Sequence, residues 1–450
     1  MRGWIRFVLE EWRRLVGFPL PEDWGIVGGA IRRAFLGLPV CDFDIVVPNL
    51  KDAIERMEGK AFPLDRDRGI WRIVLNHTGV YVDVSMLRGR WRDDLSRRDF
   101  TVNAIALMGD GGVLDFFGGV NDLRRRRLRM VREENLVEDP LRCLRGYRIA
   151  ICEDMGIERV TEQAMKKHFP LIEKVSGERI GLELNHLFSA PFSYRVVRRM
   201  GRLWKYLVEP ASSMFGFPQG GKGVRDLWEH SWLTLKIVEE LLAAGVVVRN
   251  REDYVSPWVV PLKIASLFHD IAKPDCAVVK PDGSLGFYGH EKRGACVMKD
   301  ILKSRWRFSS KVTSIVFLLI KYHMWLHLLS VSKYTDRALW RVVRRVGVYL
   351  PLLVLLFLAD AVASGNMLEG VMPFASELLE RWDSVFLHPP PRRILNGTHI
   401  RDILGVPPGP VYSVILEEVY NRQLSGEIVS LDEALELAKK ILKEYNEGVY

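Results

Sequence analysis

Residues 25–47 read GIVGGAIRRAFLGLPVCDFDIVV, and this stretch decides the fold of the N-terminal part. Apolar, β-rich runs flank a glycine pair and a helical segment, which predicts strand, turn, short helix, strand. Gly28 and Gly29 let backbone N–H groups approach phosphate oxygens without a side chain in the way, and Arg32 follows one turn into the helix. Asp42 and Asp44 are separated by one residue on the second strand, so both carboxylates point to the same face. Two adjacent carboxylates repel unless a divalent cation lies between them, and Mg²⁺ completes its oxygen shell with substrate phosphates. Taken alone, such a pair is more often just an exposed strand face. Asp83, in the run Tyr-Val-Asp-Val-Ser, completes an acidic cluster if its strand pairs beside the first. A cluster of that kind supports two-metal in-line displacement at phosphorus.

Working outward, further β-rich runs occupy residues 70–75 and 80–85, and the mixed pattern continues to about Arg127. From Glu138 on, apolar residues recur at three- and four-residue spacing almost to the end. Breaks fall at residues 215–223, at 280–289 and at Pro389-Pro390-Pro391. The expected fold class is α+β: a small mixed head followed by a long all-helical body with no internal repeat. A length of 450 residues exceeds what one core usually organises, so two to four domains are expected.

The formal charge of +9, with four successive arginines at residues 124–127, favours a polyanionic partner without naming one. Five cysteines (Cys41, Cys143, Cys152, Cys276, Cys296), odd in number and without a C-x-x-C pair, indicate neither a disulfide framework nor a thiolate zinc site. A cytoplasmic location is expected. The N-terminal run MRGWIRFVLEEWRRLVGF lacks the continuous apolar stretch of a signal peptide. Residues 346–365 are apolar enough to raise a membrane span, but Pro351 and Asp360 interrupt them, and a buried core helix is expected instead.

Five motifs follow in order: GGAIRRAFLG with CDFDIVV, then DLSRRDFTVNAIAL, LDFFGGVNDL, EDPLRCLRGYR and SGERIGLEL. Their order and spacing resemble those of the class II CCA-adding enzyme and bacterial poly(A) polymerase family. The resemblance implies a nucleotidyltransferase head with Asp42 and Asp44 as ligands of Mg²⁺ and Asp83 as the third acid. It implies nucleotide contacts from Gly28, Gly29, Arg32, Arg98, Asp99 and Asn103. It also implies tRNA, CTP and ATP as partners, with no membrane. The expected division is a head over 1–130, a helical neck over 131–212, a helical body over 213–370 and a tRNA-binding tail over 371–450.

Asp139, Arg142, Arg145 and Arg148 recur every three residues along one side of a predicted helix opened by Pro140, which by itself reads as a solvated charged face. The resemblance makes Asp139 and Arg142 the base-reading pair, with Arg145 and Arg148 suited to phosphates. Cytosine and adenine each present an exocyclic amino donor beside a ring-nitrogen acceptor. A carboxylate and a guanidinium match that order and leave uracil and guanine with unsatisfied polar groups. Two departures stand out. Arg33 occupies a position that is acidic in most of the family, so altered local pairing is expected. Residues 87–94, LRGRWRDD, are short where complete CCA-adding relatives carry a longer loop that takes part in changing from CTP to ATP. That shortness points to addition of the two cytidines only.

In the helical body, His230, His269, Asp270, His290, His323 and Asp360 are ligand types for a divalent transition metal. Singly, buried histidines are usually packed core residues. As an ordered set they resemble the HD phosphohydrolase pattern, which implies one metal on His230, His269, Asp270 and Asp360, and a second taken by His290 and His323. Three further functions share these motifs: a poly(A) polymerase, a metal-dependent phosphohydrolase whose head only binds RNA, and a non-catalytic tRNA-binding protein. The last is disfavoured because every expected head carboxylate is present.

Overall fold

The computed structural model describes residues 3–40, 42–65, 69–76, 80–218, 226–332, 334–387, 393–407, 409–424 and 427–446. Cys41, the triple-proline run and residues 219–223 of the predicted loop lie outside them. The chain divides into two compact units, Met1–Lys333 with Pro351–Met372, and Tyr334–Leu350 with Pro373–Tyr450.

The first unit opens with helix α1 (Gly3–Val16), followed by β1 (Gly25–Val27), α2 (Gly29–Phe35) and β2 (Phe43–Val47). Strands β3 (Gly59–Asp65), β4 (Ile70–Leu75), β5 (Tyr81–Met86), β6 (Ala106–Met108) and β7 (Val113–Leu114) complete a sheet of order β3-β4-β5-β2-β1-β6-β7. Alternation along β2 splits its side chains between two faces. Phe43 turns toward α1, where the Trp12 ring meets it edge-on at 5.4 Å. Val46 joins Val27, Leu95, Ala104 and Ala106 in a buried cluster, and Asp44 shares that side by the period of two. β2 and β5 run parallel with Asp44 directly beside Asp83, the pairing that the acidic cluster requires.

Three strands of this sheet were not legible in the pattern. β3 carries Pro63 and a register irregularity between Pro63 and Asp65, tolerable because β3 is an edge strand. β6 and β7 are too short for alternation to register.

Beyond the head the first unit is helical: α3 (Leu141–Cys152), α4 (Gly177–Ser189), α5 (Ser193–Met200), α6 (Leu227–Ala243), α7 (Val259–Phe268), α8 (His290–Asp300), α9 (Ser310–Val331) and α10 (Leu350–Ala363). Asp226 caps α6 by accepting from the Glu229 N–H at 2.8 Å, and Ser309 caps α9 in the same way. A Cβ at Gly181 would stand 2.0 Å from the Trp306 carbonyl oxygen, so only glycine lets α4 seat there. One departure from the helical expectation is a hairpin, Ala277–Val279 with Leu285–Phe287, closed around Asp282 and Gly283, the latter at φ +79°.

Two helical runs, Ser310–Val331 and Asp336–Ala363, are long and apolar enough to cross a membrane. In the second, 78% of the most apolar window is buried, and α10 is closed from water on all sides from Leu352 through Ala359. A helix apolar all round is a core helix in this setting, and its burial carries Asp360 into the interior.

In the second unit, Trp382 donates to the Gly347 carbonyl at 2.9 Å and Arg381 pairs with Asp336 at 2.5 Å. Helices α11 (Val411–Leu424) and α12 (Leu431–Asn446) enclose Ile415, Val419, Ala434, Ala438 and Ile441 in a small separate core.

Candidate active site and metal centre

In the head, Asp42 is exposed just before β2, and Asp44 is half-buried within it. Burial first, and then the neighbouring Asp42 carboxylate, push Asp44 up to about 6, against the pull of Arg98. Gly28, at φ +72°, faces this carboxylate, and a Cβ there would stand 2.9 Å from Asp44 Oδ2. The glycine therefore keeps a cradle open beside the acids. Mutually repelling carboxylates around a cradle without side chains fit a divalent cation. Asp83 lies in register with Asp44, but its two oxygens accept from Arg72 Nε at 2.7 Å and NH2 at 2.8 Å. This bidentate clamp from β4 was not anticipated from sequence. Arg98 also faces Gly28, and its buried Nε has no hydrogen-bond partner among the described residues, a donor suited to a phosphate or sugar oxygen.

Arg32, Asn103 and Asp99 form a buried relay. Arg32 is only 5% exposed. It donates to Glu153 through Nε at 2.6 Å and NH2 at 2.9 Å, and through NH1 to the side-chain Oδ1 of Asn103. Asn103 Nδ2 donates to Asp99 Oδ1 at 2.8 Å, and Arg145 NH1 to Asp99 Oδ2 at 3.2 Å. Burial alone would raise the Asp99 carboxyl, but Arg145 and Arg142 hold it below the usual range. Glu183 on α4 then accepts from Arg145 at 3.4 Å and from Arg148. Arg32 and Arg145 thus tie the head to α3 and its C-terminal end through acids, and Arg148 ties α3 to α4. Arg33 donates to the Pro39 carbonyl and lies 4.0 Å from Glu153, so Glu153 is the acid that faces this corner.

Replacing Glu153 by alanine would strand the buried Arg32 guanidinium. The expected loss is about 3–5 kcal/mol of stability, since breaking one side of a buried pair leaves an uncompensated charge. Denaturant unfolding checks it; an unchanged midpoint would show that Asn103 alone satisfies Arg32.

Asp139, 1% exposed, closes the short helix before α3. Arg179 donates to its Oδ2 at 2.8 Å, and Arg142 Nε lies 3.7 Å from the same oxygen. Arg142 NH1 donates to the Asn135 carbonyl at 3.0 Å, and the buried Asn135 amide donates to Ser96 and Arg98 carbonyls at 2.9 and 2.7 Å. Asn135 and Arg179 are the residues that hold the pair in place. Arg179 lies inside the motif SGERIGLEL and its partner was the missing information; Asn135 gave no sequence signal.

In the body, α6, α7, α8, α9 and α10 converge on a buried cluster. Asp270 lies at its centre. Its Oδ2 is 3.1 Å from His269 Nε2 and 3.6 Å from His230 Nε2, and its Oδ1 is 3.2 Å from His290 Nε2 and 3.6 Å from His323 Nε2. Asp360 Oδ1 is 3.0 Å from His230 Nε2. Three of the rings donate from Nδ1 to backbone carbonyls: His269 to Ser266 at 3.0 Å, His290 to Phe287 at 2.6 Å and His323 to Ile320 at 2.7 Å. Those bonds fix the Nε2 lone pairs inward, the tautomer that metal ligation needs. Nε2 atoms of His230 and His269 face each other at 3.3 Å, and those of His290 and His323 at 3.4 Å, contacts that a cation between them would relieve. Three overlapping donor triads each lie close enough to share one ion: His230, His269 and Asp270; His269, His323 and Asp360; and Asp270, His290 and His323. His327, four residues after His323, was missed; its Nε2 lies 2.8 Å from Asp360 Oδ2. The i,i+4 spacing in His-Met-Trp-Leu-His was the available signal.

Comparison with known proteins bears on the family and the fold. The model of the poly A polymerase head domain matches residues 74–129, and that of the probable RNA and SrmB-binding site of polymerase A matches residues 154–206. The chain is 35% identical over 437 residues to the CC-adding tRNA nucleotidyltransferase of Thermus thermophilus, covering 93% of each protein. It is 32% identical over 448 residues to the A-adding tRNA nucleotidyltransferase of Deinococcus radiodurans, covering 95% of this chain and 97% of the relative. Its fold matches that of the Thermotoga maritima CCA-adding enzyme complexed with tRNA, with a TM-score of 0.57 at 19% identity over 98% of this chain and 94% of the other. With the motifs in order, the sheet assembled around them and relatives aligned over nearly the whole length, the chain belongs to the class II family of CCA-adding tRNA nucleotidyltransferases and bacterial poly(A) polymerases.

Proposed function

We propose that this tRNA nucleotidyltransferase adds the two cytidines of the tRNA 3′ end from CTP and leaves the terminal adenosine to another enzyme. The observation that carries the restriction is the connection after β5. Only residues 87–90 separate it from the helix Trp91–Ser96, a reach of about 13 Å at full extension. Both ends are tied: Leu87 N–H donates to the Val47 carbonyl at 2.8 Å, Arg97 to the Arg88 carbonyl at 2.9 Å, and Arg90 N–H to Asp93 at 3.2 Å. A segment this short and this bound has little length with which to reshape the nucleotide pocket for ATP. Extension of tRNA transcripts with CTP and ATP tests the restriction.

In this reading Asp42 and Asp44 hold Mg²⁺, which when bound lowers the pKa of the attacking 3′-hydroxyl and offsets charge on the departing pyrophosphate. Arg98 binds the triphosphate or ribose beside the Gly28 cradle. Asp99 and Asn103, fixed by Arg145 and Arg32, hold the sugar side of the nucleotide. The Asp139 carboxylate accepts from the exocyclic amino group of cytosine, and Arg142 donates to its ring nitrogen.

A second activity is favoured by the body cluster. His230, His269, Asp270 and Asp360 are the ligands of one transition metal, and His290 and His323 of another, for phosphoester hydrolysis at RNA ends. Mn²⁺ or Ni²⁺ at a hundredfold excess over its Kd is expected to raise unfolding free energy by about 2.7 kcal/mol, seen as a higher Tm when the ion is added to chelator-treated, metal-free protein. His269→Ala is expected to remove that shift. An equal shift in the variant would rule the cluster out as the metal site.

A further inference from the structure

Directly paired residues of a sheet share a face, so the register of the head sorts its side chains into rows. One row runs Phe62, Arg72, Asp83 and Asp44 over β3, β4, β5 and β2. The next holds Lys60 on β3, Val74 on β4 and Tyr81 on β5. Tyr81 stands two residues before Asp83 and so lies on the same face. The face that carries the acids therefore continues past Asp83, and its chemistry changes from carboxylates to cations and rings. Ile73, Val82 and Val84 turn to the other side and are closed from water, whereas Phe62 and Tyr81 are 44% and 37% exposed.

Arg72 is fixed from two directions. Asp83 accepts from its Nε at 2.7 Å and its NH2 at 2.8 Å, and its Cζ lies 4.0 Å from the centroid of the Tyr81 ring. NH1 makes no hydrogen bond among the described residues. Single exposed rings are ordinary on a protein surface. Two rings beside a fixed guanidinium, next to the acids, supply a stacking plane and an anion contact together, the combination that suits unpaired nucleotides.

The sheet order decides which substrate lies here. Gly28, just after β1, keeps the phosphate cradle on the β1 side of Asp44, whereas Tyr81 and Arg72 lie on the β5 and β4 side. In-line transfer places the attacking hydroxyl and the departing pyrophosphate on opposite sides of the reacting phosphorus. With the triphosphate on the β1 side, the acceptor comes from the β5 side. Arg72 stands two strands from Asp44, about 10 Å across the sheet at about 4.8 Å per strand, a gap that one nucleotide and an arginine side chain bridge.

We infer that this face of β3, β4 and β5 seats the unpaired 3′ end of the acceptor RNA, with the last base stacked on the Tyr81 ring and its phosphate bound by Arg72. Asp83 acts through Arg72 as a positioning residue. The guanidinium occupies one face of the Tyr81 ring, so the base takes the other. Phe62 and Lys60 continue the same track toward the preceding nucleotide. The inference rests on the reading of the head as the site of nucleotide addition.

The test uses the full chain and a short RNA hairpin with an unpaired 3′ end whose last base is 2-aminopurine, a fluorescent base that is quenched when stacked. Binding without CTP is expected to quench it, Tyr81→Leu to abolish that quenching and Tyr81→Phe to keep it. In single-turnover addition to a hairpin ending in one C, Tyr81→Leu and Arg72→Gln are expected to raise the hairpin concentration for half-maximal rate about five- to hundredfold, the range for one lost stacked base. The CTP concentration for half-maximal rate is expected to change by less than about twofold. Arg72→Lys recovers part of the loss. Asp83→Asn is expected to follow Arg72→Gln, and the double variant to be no worse than the weaker of the two, since both act through one guanidinium. Additive losses in the double variant would overturn the role of Asp83. Quenching that survives Tyr81→Leu, or effects that fall on CTP alone, would overturn the acceptor seat. Where a charge variant lowers the Tm, the two Tyr81 variants decide. No addition by the unaltered chain would contradict the head assignment while the quenching still decides this inference, and addition with both readouts indifferent to Tyr81 and Arg72 defeats this inference alone.

Discussion

Asp42→Ala and Asp44→Ala each reduce nucleotide addition by about a thousandfold or more while tRNA affinity changes by less than about threefold. The size follows from the chemistry assigned to these carboxylates: metal-assisted phosphoryl transfer contributes several kcal/mol, and each 1.36 kcal/mol is about tenfold in rate. Binding is spared because tRNA affinity is a sum of many phosphate contacts spread over a basic chain. Asp44 is the more exacting case, since it is half-buried beside Asp83 and against the Gly28 cradle. Full activity in either variant, measured as single-turnover addition, would remove the metal assignment. Asp83 is expected to behave differently from both. Its oxygens are clamped by Arg72, so its removal also frees a guanidinium beside the site.

Asp139→Ala with Arg142→Ala relaxes base choice more than it slows transfer of the best nucleotide. An unsatisfied buried polar group costs about 1–3 kcal/mol, so discrimination between CTP and UTP falls about ten- to a hundredfold. The measurement is the ratio of kcat/KM for CTP and UTP on one tRNA. An unchanged ratio would rule out a protein template. Arg179→Ala is informative beside it, because Arg179 donates to the Asp139 oxygen that Arg142 also approaches. Its loss lets the carboxylate turn and moves selectivity in the same direction while Asp139 and Arg142 both remain.

Much of this site was legible before the fold. The spacing marked Asp42 and Asp44 as one acidic pair, although Asp42 stands just before β2 and only Asp44 lies within it, and the ordered motifs identified the head. β1, β2 and β4 occupy the runs that β-rich composition marked. What the sequence lacked was partners distant along the chain. Arg32 read as a phosphate contact, yet it is bound to Glu153, 121 residues away, and Arg148 is bound to Glu183, 35 residues away. Arginines at three-residue spacing look alike on a helix whether they face solvent, an acid or a substrate; only the packing of α3 against α4 and the head separates these outcomes. His327 was missed for a related reason, since the i,i+4 spacing from His323 gains meaning only once α10 brings Asp360 to it. The hairpin within the helical part and the edge strand β3 were lost because three-residue strands and a proline-bearing edge leave almost no periodic signal.

The most direct test of the central claim is extension, at single-nucleotide resolution, of tRNA transcripts that end before the first C, after one C and after both, each with CTP, ATP or both in the presence of Mg²⁺. The first two are expected to be extended to CC by CTP and to stop there, and the transcript ending in CC is expected to stay unextended by ATP. Completion to CCA would contradict the restriction drawn from residues 87–90, long adenylate tails would contradict the substrate reading, and no extension of any transcript would contradict the assignment of the head itself.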